Sequence, residues 1–185
     1  EERWRWNVEE LTLQIKSSSE KFDDFIITQP MQLPFQINDT MQMIIFIGIQ
    51  ASGKSTFFRS MLANHGLVHI NLDTLHRRHK ESLAIRDCLD RRKSFVVDNT
   101  NPQIIDRQRY IPLAKAHGYE VIGIFFQSRV GDCIERNEQR QHRVPRIAIP
   151  CTSNKLQIPS YDEGFDQLYF VRIVDKSFEI TKWKE

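Results

Sequence analysis

Met43-Ile44-Ile45-Phe46-Ile47-Gly48-Ile49-Gln50-Ala51-Ser52-Gly53-Lys54-Ser55-Thr56 is the stretch that decides the fold. Its first five residues are all apolar, the pattern of a strand buried on both faces of a parallel sheet. Gly48 through Ser55 then fit G-x-x-x-x-G-K-[ST], and a helix is predicted from about Lys54 to Asn64. Strand, glycine loop and helix in that order make a phosphate cradle. The two glycines let the backbone close around an anion, and successive N–H groups converge on it at a helix N-terminus. The candidate nucleotide-binding residues are Gly48, Ser52, Gly53, Lys54, Ser55 and Thr56. Lys54 supplies a point charge between β- and γ-phosphates, and the Ser55 hydroxyl is the expected Mg²⁺ ligand. No N-K-x-D guanine-reading pattern occurs, so ATP is the expected nucleotide.

Outward from this loop, strands and helices alternate. Strands are predicted at Leu67–Ile70, Phe95–Val97 and Val121–Phe126. Helices are predicted over Thr74–Lys93, from Pro102 to about His117 with a kink or split at Pro112, and from Gly131 to about Gln141. Gly118 reads as a helix C-cap, residues 144–160 as loop, and Leu168–Ile173 with Phe178–Ile180 as a terminal hairpin on the sheet edge. The expected fold is α/β, a P-loop kinase fold with a mostly parallel four- to five-stranded sheet, helices around it and an arginine-bearing lid helix.

Residues 41–185 are the expected kinase domain, and residues 1–40 an N-terminal extension or the tail of an upstream region. In the extension, Val8, Leu11 and Ile15 recur at helical spacing, whereas Trp4, Trp6 and Val8 alternate as in a strand. The tryptophans suit packing of the extension, or stacking on bases.

The 185 residues carry a net charge of +2, which conceals an asymmetry. Residues 1–40 hold four basic and eight acidic side chains and residues 160–185 four and six, leaving 18 and 10 in the middle, a net +8. A basic middle suits phosphates or nucleic acid; a solvated surface is the plain alternative. The longest apolar run, Met43 to Ile49, is seven residues, far below the ~18 of a membrane span. Cys88, Cys133 and Cys151 form no C-x-x-C pair, which excludes a disulfide framework or four-cysteine zinc site and points to a cytoplasmic protein.

Catalytic candidates lie where parallel strands end, because their carboxyl ends face the ligand crevice. Asp73, 19 residues beyond Lys54, follows the second strand. Phosphoryl transfer to an alcohol needs a carboxylate to orient the hydroxyl and accept its proton; helix capping is the structural role open to the same residue. The third strand ends in Asp98-Asn99-Thr100-Asn101-Pro102, short polar groups suited to an acceptor's hydroxyl or phosphate. Its apolar-then-acidic pattern is equally that of a Mg²⁺-ligating strand end. Arg136, Arg140 and Arg143 share one helical face at spacings of four and three, and Arg146 follows. Guanidinium forks on a lid bind phosphate and stabilise charge developing at the γ-phosphate; a solvated helix face is the plainer meaning of such a run.

This constellation resembles the 5′-hydroxyl polynucleotide kinases of nucleic-acid end repair. The matching elements are G-x-x-x-x-G-K-S-T at 48–56, N-x-D-T-L at 71–75, D-N-T-N-P with a later arginine at 98–107, E-R-N-x-x-R at 135–140, and Glu163-Gly164-Phe165. The resemblance covers about residues 41–173 and implies Asp73 as general base, Lys54 and Ser55 at ATP and metal, and Arg136 and Arg140 as lid arginines. It places Asp98, Asn99, Thr100 and Arg107 on the acceptor side, with His76 and Arg77 beside Asp73. Leu72 stands where the family often has arginine, and His76 where it often has an acceptor-binding arginine. In a continuous helix, with about 100° between residues, Arg77 does not take over that place. The D-x-D-x-T phosphatase signature is absent, so full end healing would draw on another polypeptide or an upstream region.

Three functions follow from this reading: ATP-dependent phosphorylation of 5′-hydroxyl ends of DNA or RNA; phosphorylation of a nucleoside or other small alcohol on the same fold; and an ATP-binding regulatory module without acceptor chemistry. The first two separate by salt. With a polynucleotide acceptor, KM rises as salt increases from about 50 to 200 mM, because phosphate contacts release counterions. With a small neutral alcohol, acceptor KM stays flat in the same steady-state assay.

Overall fold

The computed structural model describes residues 32–37 and 41–184. The readings of Trp4, Trp6, Val8, Leu11 and Ile15 lie outside them. The chain runs β1 (Gln42–Ile47), α1 (Lys54–Phe57), β2 (Val68–Ile70), α2 (Leu72–Leu75), α3 (Arg78–Asp90), β3 (Phe95–Val97), α4 (Ile104–Arg107), α5 (Ile111–Ala116), β4 (Glu120–Phe126), α6 (Val130–Glu138), α7 (Ala148–Ser153), β5 (Gln167–Val174) and β6 (Ser177–Lys182).

β1 is apolar throughout Met43–Ile47 because both of its faces are covered, and each of these residues is fully buried. Met43, Ile45 and Ile47 pack on one side of the sheet with Ile85, Cys88 and Leu89 of α3 and Ile111 and Ala114 of α5. Ile44 and Phe46 pack on the other with Phe57, Phe58, Met61 and Leu62, the residues that follow the glycine loop. The result is a sheet between two helical layers. Phe35 joins the second layer, its ring 5.0 Å from that of Tyr169, with Leu33 and Ile37 beside it. The packed core therefore draws on residues upstream of Met41.

The sheet has six strands in the order β2–β3–β1–β4–β5–β6, one more than the upper expectation, because both strands of the terminal hairpin join it. β5 pairs parallel with β4, and β6 closes the edge antiparallel to β5. Ile70, Val97 and Ile45 lie at one level across β2, β3 and β1. The three segments that leave these strands therefore emerge side by side.

Three local expectations change and one, the split at Pro112, holds. The helix after the glycine loop passes from α1 into a π-helical turn, Phe58–Leu62, and a 3₁₀ turn, Ala63–His65. The helix over 74–93 is two helices, because His76 adopts a left-handed φ of 59° between α2 and α3. His76 and Arg77 therefore lie between two helices, and the 100° helical step does not separate them. Pro112 does split the next helix: it occupies the first turn of α5, and a Gln103–Asp106 capping box starts α4. Residues 144–160 contain α7, which tolerates Pro150 within its first turn, where N–H groups have no intrahelical partner. Ile149 of α7 is fully buried with Ile49 and Cys133.

One buried ion pair ties the distal loops together. Arg107 has no exposed surface. Its Nε and Nη2 donate to Glu163 at 2.6 and 2.7 Å, and its Nη1 donates to the carbonyls of Asn101, Pro102 and Gln157. Removing one partner of such a pair strands the other charge without solvent. Glu163→Ala is expected to cost about 3–5 kcal/mol, read as a lowered midpoint in denaturant unfolding.

Candidate functional site

Gly48 and Gly53 hold φ of 153° and 103°. A Cβ at Gly48 would come within 3.0 Å of Ser52 Oγ and 3.1 Å of Phe126 Cβ, so this loop closes only around glycine. Within it the Lys54 ammonium donates to the carbonyls of Gly48 and Ile49 at 3.0 and 2.6 Å, and to Ser52 Oγ at 3.3 Å. Burial pushes this ammonium down to about 8; Asp98 and, more weakly, Asp73 act in the opposite direction, while Arg140 adds to the lowering. The cradle lysine thus lies in the electrostatic reach of Asp73 and of Arg140.

Asp98 follows β3 and is itself buried. Its Oδ2 accepts from Ser55 Oγ at 2.9 Å, from Asn71 Nδ2 at 3.1 Å, and pairs with His69 Nε2 at 2.9 Å. Burial alone would raise this carboxyl; the hydrogen bond and attraction of His69, then Lys54 and Ser55, outweigh it and hold it below the usual carboxylate range. A hydroxyl and a carboxylate at a phosphate loop form a hard oxygen donor set, and Mg²⁺ takes such ligands with water and phosphate oxygens. Ser55 and Asp98 fit that ion.

Asp73 lies in the first turn of α2, exposed, and among the described residues its carboxylate accepts no hydrogen bond. The capping role falls instead to Asn71, whose Oδ1 accepts from the Asp73 N–H at 2.8 Å. His76 and Arg77 are exposed and follow directly, as the last residue of this turn and the N-cap of α3. Thr100 meets the loop through its carbonyl, which accepts from the Gly48 N–H at 2.9 Å.

Arg136 reaches the cradle, its Nε donating to the Ala51 carbonyl at 2.8 Å. Arg140 and Arg143 do not share its helix. α6 stops at Glu138, short of the expected Gln141, and both arginines lie in the exposed segment beyond it. Two candidate acceptor contacts have other partners. Arg107 is spent on Glu163 and backbone carbonyls, with no surface to offer. Asn99 Oδ1 accepts from the Leu72 N–H at 3.0 Å, and its Nδ2 donates to Glu81. His69 and Glu81 are site residues that sequence reasoning passed over. The signal for His69 was a lone polar side chain in an apolar strand; Glu81 had none, since a helical glutamate is normally solvated.

A family described as AAA domain matches residues 43–152, the span from β1 through most of α7. The chain belongs to this AAA domain family. A putative bifunctional polynucleotide phosphatase/kinase of Acanthamoeba polyphaga mimivirus is 31% identical over 153 residues, 77% of this chain and 36% of that protein. A bifunctional polynucleotide phosphatase/kinase of Schizosaccharomyces pombe is 29% identical over 136 residues, 71% of this chain and 33% of that protein. The chain thus spans about a third of the length of these curated relatives. The resemblance drawn from short motifs holds at the scale of the domain. Among solved structures, a gluconokinase from Sinorhizobium meliloti shares the fold of this AAA domain, with a TM-score of 0.53 at 19% identity over 73% of this chain and 84% of that one.

The depressed Lys54 has a measurable consequence. A bound polyphosphate favours the ammonium, so the bound lysine titrates higher than the free one at about 8. Nucleotide affinity is therefore full below that value and falls as pH rises through it. Titration calorimetry between about pH 6.5 and 9.5 is expected to show this fall, and Lys54→Arg, whose guanidinium stays charged, to flatten it.

Proposed function

We propose that this domain transfers the γ-phosphate of ATP to the 5′-hydroxyl end of DNA or RNA. The observation that carries the proposal is geometric: the segment bearing the exposed Asp73 carboxylate leaves β2 at the level where the phosphate loop leaves β1 and Asp98 leaves β3. A phosphate cradle alone is compatible with any P-loop protein; a free carboxylate beside it is what transfer to an alcohol requires. In this reading Asp73 orients the acceptor hydroxyl and takes its proton as the oxygen attacks phosphorus. The bond to ADP breaks on the opposite side. Lys54 and the loop N–H groups hold the β- and γ-phosphates, and Arg136 and Arg140 bear on the charge of the transferring group. When bound at Ser55 and Asp98, Mg²⁺ supplies neutralisation of the phosphate oxygens. The relatives named polynucleotide phosphatase/kinase support a polynucleotide acceptor, as does the basic middle of the chain.

A small-alcohol acceptor is the second reading, favoured by one observation. The position three residues after Asp73 is His76, not arginine, and a left-handed turn carries it. No helix among the described residues is long and apolar enough to cross a membrane.

The test is transfer from γ-labelled ATP with Mg²⁺ to 5′-hydroxyl DNA and RNA oligonucleotides, a 3′-nucleoside monophosphate and plain nucleosides. Labelled oligonucleotides are expected from the wild type. Asp73→Asn is expected to lower turnover roughly 10²–10⁴-fold with ATP affinity unchanged. Label confined to nucleosides would establish the second reading. ATP binding with no labelled acceptor would point to a regulatory module.

A further inference from the structure

Asp73 sits on a helix of four residues, α2. Four residues cannot hold themselves in helical form, because nucleation is unfavourable and a single turn gains too few hydrogen bonds. Something outside the turn must fix it. One tie is Asn71, the N-cap, which is itself held by Asp98. The other runs through the opposite side of the sequence. The Leu72 N–H, immediately before Asp73, donates to Asn99 Oδ1 at 3.0 Å.

Asn99 is in turn held by groups remote from the phosphate loop. Its Nδ2 donates to Glu81 Oε1 and lies 3.5 Å from the Tyr110 hydroxyl. Tyr110 donates to the same Glu81 oxygen at 3.2 Å and accepts from Arg78 Nη1 at 2.9 Å. Arg78 also bonds Glu81 Oε2 at 3.0 Å. Glu81, Asn99 and Tyr110 are all buried. A buried carboxylate is costly unless its oxygens are engaged, and here both are. A buried carboxamide left to itself would be free to flip; Glu81 accepts only from the Nδ2 end, which aims Oδ1 at Leu72.

We propose that Glu81, Asn99 and Tyr110 form a positioning relay that holds the Leu72–Asp73 backbone in place. Asn99 thereby acts through Asp73 and does not contact substrate. The link to catalysis rests on the reading of Asp73 as the base. Arg78 anchors the far end of the relay without touching Asn99.

The experiment compares the whole chain as wild type, Glu81→Ala, Glu81→Gln, Tyr110→Phe and Arg78→Ala. Amide hydrogen exchange over residues 71–75 is read against residues 48–55. Glu81→Ala is expected to speed exchange at Leu72 and Asp73 about tenfold, with the phosphate loop unchanged. Tyr110→Phe acts in the same direction. Glu81→Gln, which keeps an oxygen for Asn99, restores slow exchange, and Arg78→Ala, which takes a donor from both Glu81 and Tyr110, speeds it. In the transfer assay, Glu81→Ala lowers kcat by up to about 10²-fold while the ATP KM holds. Exchange that quickens equally in both segments, or not at all in 71–75, would overturn the relay. If the wild type labels no acceptor, the kinase reading fails by itself, and the exchange comparison still decides the relay.

Discussion

One carboxylate oxygen, Asp98 Oδ2, gathers the strand ends of this domain. It is the shared acceptor for Ser55 after β1 and for Asn71 after β2, it pairs with His69 of β2, and it belongs to the segment that follows β3. Withdrawing a carboxylate from water costs several kcal/mol. That cost is met only while all three neighbours stay in register, so the sheet and the cradle constrain each other. His69 is held in turn by stacking on Phe58, with ring centroids 3.7 Å apart. The apolar layer beneath the loop therefore helps to orient the polar centre above it.

Around that centre the proposed site residues differ from residues that hold the loops in shape. Lys54, Ser55, Asp73 and Arg136 belong to the first group. Arg107, Asn99 and Glu81 belong to the second, and all three are buried. Burial alone does not divide them, since Lys54 is buried too; its ammonium bonds the phosphate loop itself, whereas the second group is engaged with side chains and carbonyls away from that loop. The D-N-T-N-P segment shows the division within five residues. Asp98 faces Ser55, Asn99 faces Leu72 and Glu81, and Asn101 Nδ2 donates to the Phe46 carbonyl at 2.8 Å.

Much of the architecture was legible because it depends on local pattern. The run Met43–Ile47 reads as a strand covered on both faces and Gly48 and Gly53 as a tight turn, and the buried β1 and the positive φ of both glycines agree. Pro112 announced the split before α5. The helix breaks were less legible. His76 carries no glycine to mark its left-handed turn, and α7 hides among prolines because Pro150 falls where a helix does not need its N–H. The extent of α6 was overread, since spacings of four and three among arginines mimic a helical face even where the chain has left the helix.

The glycine loop, the α/β alternation and the place of Asp73 as the carboxylate after the second strand could all be read from the chain alone. Each of these depends on residues adjacent in the chain or on a strand's direction. Which polar residues are spent on one another could be seen only once the chain was folded. Arg107 and Glu163 lie 56 positions apart, and Asn99 and Glu81 lie 18 apart. Whether such groups pair or face solvent depends on how the strands are ordered in the sheet. Desolvation enforces the pairing once the layers close, because a buried charge or amide must find a partner within reach.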